Sequence, residues 1–236
     1  MKIIYFIRHG QASFGEKNYD QLSPAGILQA RVLGNHLAGI PITFHEIYSG
    51  AMKRQQHTAQ EVRAAFASAG IAVPDLTINS AFDEYDAFGI WDHHTRRMLD
   101  EKSLTPEDMR QVRTDRRKFQ NVFERVMMEW IAGEHDVPGD ERWCDFVDRI
   151  RQGVLSLAGP SEAGGNIAVF SSGGPISAVM KLALSLTDAK AMEVSWQIMN
   201  ASVTRFYASS RGIFLSGFND ITHLMLQQDA SLLTFR

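Results

Sequence analysis

Lys2-Ile3-Ile4-Tyr5-Phe6-Ile7-Arg8-His9-Gly10 is an apolar run that ends abruptly on an arginine, a histidine and a glycine. Five hydrophobic residues without a polar interruption, Ile3 to Ile7, read as a strand buried on both faces. That is the habit of a parallel strand with helices on either side. The same pattern recurs late in the chain, where Ile167-Ala168-Val169-Phe170 runs into Ser171-Ser172-Gly173-Gly174-Pro175. Helical patterns lie between and around these strands. Ser23-Pro24 supplies an N-cap and a first-turn proline for a helix to about Ala38, with Ala30, Leu33 and Leu37 on one face. Glu46 to Ser49 is a short strand. A helix then runs from Ala51 to about Ser68, with Ala59, Val62 and Phe66 at helical spacing.

Working outward, the middle of the chain is helical. Met109, Val112, Phe119, Val122, Val126 and Trp130 keep one helical period from Pro106 to Ile131. A turn at Pro138-Gly139 leads to a helix over about Glu141 to Leu157. Ile176 to Leu186 is apolar on most faces and predicts a buried helix, with Pro175 at its first position. Val203 to Ala208 and Ile213 to Phe218 read as a hairpin about Ser209-Ser210-Arg211-Gly212. Apolar strands alternating with helices predict an α/β, three-layer α/β/α architecture around a mostly parallel sheet. Ligands of such sheets bind at the carboxyl ends of strands, and both Gly-rich strand ends noted above lie there.

The 236 residues are 44% hydrophobic and 22% charged, a globular composition with material for a large core. A net charge of −3 argues against a dedicated nucleic-acid binder. The one cysteine, Cys144, excludes an internal disulfide and a Cys-based zinc cage. No histidine pair has convincing metal-ligand spacing, so neither metal nor cofactor is expected. The opening apolar run is too short for a signal peptide, and no stretch approaches a membrane span. Cytoplasm is the expected location. Self-association into a homodimer stays open.

Three clusters carry chemistry. In Arg8-His9-Gly10, the arginine offers a planar fork for a phosphate, and a neutral imidazole beside it is a nucleophile near neutral pH. Glycine lets a ligand or another backbone approach. Ser49-Gly50-Ala51-Met52-Lys53-Arg54 opens a helix after a strand, with Arg54 and Thr58 on one face. A cation in the first helical turn is electrostatically unfavourable unless it faces an anion. Phe82-Asp83-Glu84-Tyr85-Asp86 packs three carboxylates, one of which could act as a general acid. Each cluster alone is also explained by ordinary polar structure: a satisfied histidine, a solvated Lys-Arg pair, an acidic turn.

Together with Leu22-Ser23-Pro24-Ala25-Gly26, Gln29-Ala30, Asn200-Ala201-Ser202-Val203-Thr204 and Asn219 to Leu224, these blocks resemble the histidine phosphatase (phosphoglycerate mutase-like) superfamily, in order along essentially the whole chain. The resemblance implies one domain over residues 1–236, with a helical cap-like insertion at about 85–140. It implies that His9 accepts the phosphoryl group and that Glu84, with Asp86 next, is the general acid. It implies phosphate binding by Arg8, Arg54, Gly10, Ser171, Ser172 and Gly173, and a small phosphorylated substrate. The expected activity is metal-independent phosphomonoester hydrolysis through a phosphohistidine. The alternatives are a weakened phosphate-binding or regulatory protein and a mutase-type phosphotransferase. Two departures stand out. Ser172 occupies the place of a second histidine, exchanging a cation for a neutral hydroxyl. Loss of one charge-assisted contact is worth roughly 10²–10³ in rate. The asparagine often found a few positions after the first block is not supplied by Gln11 to Gly15.

Overall fold

The computed structural model describes residues 1–13, 19–136, 139–159, 164–209 and 211–235. Pro138 of the expected turn, Ser210 of the hairpin turn, and Phe14 and Gly15 after the first block lie outside them.

Six strands form one sheet: β1 (Lys2–Arg8), β2 (Phe44–Ser49), β3 (Leu76–Ile78), β4 (Gly165–Ser171), β5 (Val203–Ser209) and β6 (Gly212–Asp220). Their order is β3-β2-β4-β1-β5-β6. The first four strands run parallel to one another and β5 runs against its neighbours β1 and β6. The expected three-layer, mostly parallel architecture is what the chain adopts. β4 sits between β2 and β1, and everything from Ile167 to Ser171 is buried. A continuous apolar run suits that central place, since neither face meets water.

Alternation along β1 separates two cores. Ile7 joins Leu33 and Leu37 of α1 (Pro24–Ala38) and Ala59, Val62 and Phe66 of α2 (Lys53–Ser68), with Phe44, Ile47 and Phe170 from the neighbouring strands. Phe6, facing the other way, meets Phe82 and Phe206 edge-on, at ring separations of 5.7 and 5.8 Å. The α7 helix (Gly173–Leu184) belongs to that second face and contacts β1 and β6. α8 (Asp188–Ser195) packs on α7, and a short α9 (Thr222–Met225) lies against α1.

Between β3 and β4 come α3 (Ala87–Asp100), α4 (Pro106–Val112), α5 (Arg116–Ala132) and α6 (Trp143–Ala158). The chain divides into two compact units here, Tyr85–Asp148 and the remainder. Tyr85, Trp130, Trp143 and Phe146 form an aromatic core in the smaller unit, with ring separations of 4.8 to 6.1 Å. The single helical run expected over Pro106 to Ile131 is in fact two helices. The first ends at Val112 with Arg113 as its C-cap, and Asp115 accepts from the backbone N–H groups of Arg117 and Lys118, capping the second. His94 is buried, with Nδ1 3.2 Å from Glu129 Oε2. α7 begins three residues before the expected Ile176. Ser172 is its N-cap, so Pro175 takes the third position, not the first.

Candidate active site

Strand register assembles the site. Arg8 pairs with Ser171 across β1 and β4, and Ser49 pairs with Phe170 across β2 and β4. The carboxyl ends of three adjacent parallel strands therefore deliver Arg8-His9-Gly10, Ser171-Ser172 and Ser49-Gly50 to one rim. Of the acidic cluster, Glu84 reaches the same rim: its Oε2 accepts from Gly174 N at the start of α7 (3.0 Å). A carboxylate is well placed at a helix N-terminus, where backbone N–H groups lack intrahelical partners.

His9 is 4% exposed. Its backbone is held by Ser171, since His9 N donates to Ser171 O (2.9 Å). Its carbonyl accepts from Ala201 N and from Asn200 Nδ2, both at 3.2 Å. Two ring contacts fix the tautomer. Arg54 Nε lies 3.1 Å from His9 Nε2, and a guanidinium can only donate, so Nε2 carries the lone pair. The proton is then on Nδ1, donated to Gly10 O at 2.7 Å. Burial, then Arg54, then Arg8 push the imidazole pKa well below 6.5, against the smaller pull of the Gly10 bond. At neutral pH His9 is an uncharged base with an unprotonated Nε2.

Arg54 is buried at the second position of α2, where a cation opposes the macrodipole. Asp20 resolves the conflict. Its carboxylate accepts from Arg54 Nη1 (2.9 Å), Lys53 N (2.9 Å) and Arg54 N (3.4 Å). It thereby caps a helix whose own N-cap residue, Met52, offers no side-chain acceptor. The Arg54 guanidinium carbon also lies 5.4 Å from the Tyr19 ring centroid. Arg8 donates through Nη1 to Ile198 O. A Cβ on Gly173 would stand 4.0 Å from Arg8 Cζ, so the guanidinium lies along the first residue of α7.

Gly10 is required by another backbone. A Cβ there would be 2.3 Å from Gly26 O, and a Cβ on Gly26 would be 2.1 Å from Gln11 O. The loop after β1 thus lies directly on the first turn of α1, and Gly10 N donates to Thr58 Oγ1 (3.1 Å). Ser171 gives its hydroxyl hydrogen to Phe82 O (2.7 Å). Ser172 is 1% exposed, and its Oγ accepts from Gln55 Nε2 (2.8 Å). Gln55 Nε2 also faces Phe82 O at 3.3 Å, which sets the amide's orientation. The Ser172 hydroxyl hydrogen is consequently left for a ligand acceptor. Asp83 accepts from Ala51 N, and burial raises its pKa despite that bond and the cations of Arg149 and Arg54. Asp86 is exposed and spent on capping α3 through Phe88 N (3.2 Å) and Gly89 N (3.0 Å).

Sequence reasoning did not assign roles to Asp20, Gln55 or Asn200. Asp20 lies 34 residues before Arg54, and Gln55 117 before Ser172, so no local pattern signals either contact. Among the described residues no group of three or more His, Cys, Asp or Glu is arranged to hold a metal.

A neutral, buried histidine with Arg54 on its ring and Arg8 as its chain neighbour, at a parallel strand's carboxyl end, suits a phosphoryl-bearing ligand. The histidine phosphatase superfamily (branch 1) model matches residues 4–221. The chain belongs to the histidine phosphatase superfamily. It is 22% identical over 233 residues to a Hydrogenobacter thermophilus protein carrying a provisional name as phosphoserine phosphatase 2, covering 94% of this chain and 98% of that one. Its fold is similar to a phosphoglycerate mutase from Bacillus anthracis (19% identity, TM-score 0.62, 97% of each chain). It is also similar to a phosphoserine phosphatase from Entamoeba histolytica solved with 3-phosphoglyceric acid (22% identity, TM-score 0.61, 95% and 100% coverage).

Proposed function

We propose that the protein hydrolyses a small phosphomonoester without a metal, through a phosphohistidine on His9. The observation that carries this reading is the tautomer of His9. Its Nε2 lone pair is kept unprotonated first by burial, then by Arg54, which donates to it, and by Arg8, the two cations that a phosphoryl group would engage. In the first step Nε2 attacks phosphorus and the P–O bond to the leaving oxygen breaks. Arg54 Nε moves its hydrogen bond from Nε2 to a phosphoryl oxygen, and Arg8 binds a second. Glu84, which takes up a proton when the negative charge of the substrate lies beside it, gives that proton to the leaving oxygen. In the second step water attacks phosphorus, Glu84 takes the water's proton, and the P–N bond breaks to return the lone pair to Nε2. The products are an alcohol and inorganic phosphate.

Gly173 N–H and the Ser172 hydroxyl complete the oxyanion contacts at the α7 N-terminus. Gly10 and Ser171 enter as braces, because their polar atoms are engaged with Thr58, His9 and Phe82. Asp86 is set aside as acid because it caps α3, whereas Asp83, with its raised pKa, is the alternative to Glu84. We keep the insertion at about 85–140 as the substrate-selecting cap of one 1–236 domain, on the strength of the resemblance. A cytoplasmic location fits the exposed free thiol of Cys144. Among the described residues, no helix is long and apolar enough to cross a membrane.

One observation favours a second reading, phosphate binding without turnover: the Ser172–Gln55 pair is uncharged where a cation would stabilise the transition state. A panel of phosphomonoesters, including phosphoserine and 3-phosphoglycerate, separates the two. Turnover abolished by His9→Ala supports hydrolysis. Phosphate binding by wild type with equal inactivity of wild type and His9→Ala supports the second reading.

A further inference from the structure

The loop that carries His9 is tied, through two buried side-chain amides, to a segment more than 190 residues away. Gln11 N donates to Gln29 Oε1 (2.8 Å), and His9 O accepts from Asn200 Nδ2 (3.2 Å). Gln29 and Asn200 are both fully buried. Beyond them lies Thr234. Gln29 Nε2 reaches Leu232 O (2.8 Å) and Thr234 Oγ1 (2.9 Å), while Thr234 Oγ1 is 2.9 Å from Asn200 Oδ1. Asn200 N also donates to Thr234 O.

Donor and acceptor roles in this chain are forced from its ends. A backbone N–H at Gln11 requires the oxygen of Gln29, and the carbonyl of Leu232 requires its nitrogen. Gln29 Nε2 must then donate to the Thr234 oxygen, whose single hydrogen is left for Asn200 Oδ1. With its oxygen so occupied, Asn200 can present only its NH₂ to His9 O. A flip of Asn200 would set two acceptors against each other at His9 O. The Thr234 oxygen could accept from both amides in that case, but its hydrogen would lose the Asn200 oxygen that now holds it.

We infer that Thr234 is a positioning residue: its hydroxyl anchors the oxygen of Asn200, whose polarity the His9 carbonyl sets, and thereby holds the placement of that carbonyl beside the ring. The catalytic half of this inference rests on His9 being the nucleophile. The structural half does not. Gln29 is held twice, by Leu232 O and Thr234, whereas Thr234 Oγ1 holds the oxygen of Asn200, so the effect passes mainly through Asn200.

The test compares wild type, Thr234→Val and Thr234→Ser, with thermal melts to verify folding and Thr234→Ala as substitute should Thr234→Val fail to fold. Valine keeps the branched shape and removes the hydroxyl. Hydrogen exchange of the Asn200 side-chain amide, read by NMR, should show protection in wild type and Thr234→Ser, and its loss in Thr234→Val. Thr234→Val should lower kcat about tenfold with KM within twofold, because a displaced nucleophile costs turnover more than binding. Retained Asn200 protection in Thr234→Val, or a kcat within twofold of wild type, overturns the inference. If wild type shows no turnover that His9→Ala abolishes, the hydrolase reading has failed instead, and Asn200 protection alone decides the role of Thr234.

Discussion

Replacing Arg54 by methionine removes one of the two guanidinium groups that shape the chemistry of His9 while keeping an apolar stem in the buried site. Two effects follow. The contact from Arg54 Nε to His9 Nε2 is lost, and with it the donor proposed to pass to the phosphoryl group. Deleting one charge-assisted contact to transition-state charge costs roughly 10²–10³ in kcat/KM, or about 3–4 kcal/mol. The second effect is on protonation. Burial is the largest cause of the depressed His9 pKa, Arg54 the next and Arg8 the third. Without Arg54 the acid limb of kcat/KM, which reports the free enzyme, should move upward. It should stop short of the ordinary histidine value, because burial and Arg8 remain. Asp20, left without its cation, pushes in the same direction, and its partly exposed carboxylate limits the loss of stability to about 1 kcal/mol. Arg54→Lys keeps the charge but offers one point of contact where arginine makes two, so activity should fall while the acid limb stays put. The assay is a pH series of kcat/KM on any turned-over phosphomonoester. An acid limb that does not move in Arg54→Met, or a kcat/KM within threefold of wild type, would refute the reasoning.

Other expectations follow from single contacts. Ser172→Ala removes a neutral donor and should cost about 1 kcal/mol, a five- to tenfold fall in kcat/KM, far less than loss of a charged ligand; a drop beyond a hundredfold would contradict this. Gly10→Ala puts a methyl 2.3 Å from the Gly26 carbonyl oxygen, so urea unfolding should show roughly 3 kcal/mol less stability. His223 is buried, and burial first, then His36, bring its pKa from 6.5 down to about 4. The unfolded chain therefore binds the proton more readily than the folded one. Stability from this group is complete above about pH 6.5 and is lost as pH falls toward 4, by about 3 kcal/mol in total. Denaturant melts of wild type and His223→Asn across that window should show the slope shrink in the variant.

Much of this arrangement was legible in the sequence because the decisive strands are central. β4 is buried on both faces and β1 is buried at Ile4, Phe6 and Ile7 with Ile3 and Tyr5 partly covered, so unbroken hydrophobicity marks both, and polar residues at their ends mark the rim. β3 has only three residues, Leu76 to Ile78, two of them exposed, and leaves no such trace. The break between Val112 and Arg116 was hidden because the apolar period continues through it; only the capping geometry shows that Asp115 begins a second helix. Within the site, His9 and Arg54 were legible by type and position. Asp20, Gln55, Asn200 and Thr234 were not. Each is an ordinary polar residue whose role exists only once distant segments meet. The glycine at position 10 was legible as a close approach, but its neighbour is the backbone of Gly26 and Gln11 binds Gln29 beside it.

The central claim is that His9 becomes covalently phosphorylated during turnover. Mixing the enzyme with excess phosphomonoester, quenching in alkali within the first turnover and mapping the peptides by mass spectrometry tests it most directly. Phosphate on the peptide carrying His9, stable to alkali, lost in acid and absent from His9→Ala, is the predicted result. Steady turnover with no phosphate on His9 at any quench time, or undiminished turnover by His9→Ala, would contradict it.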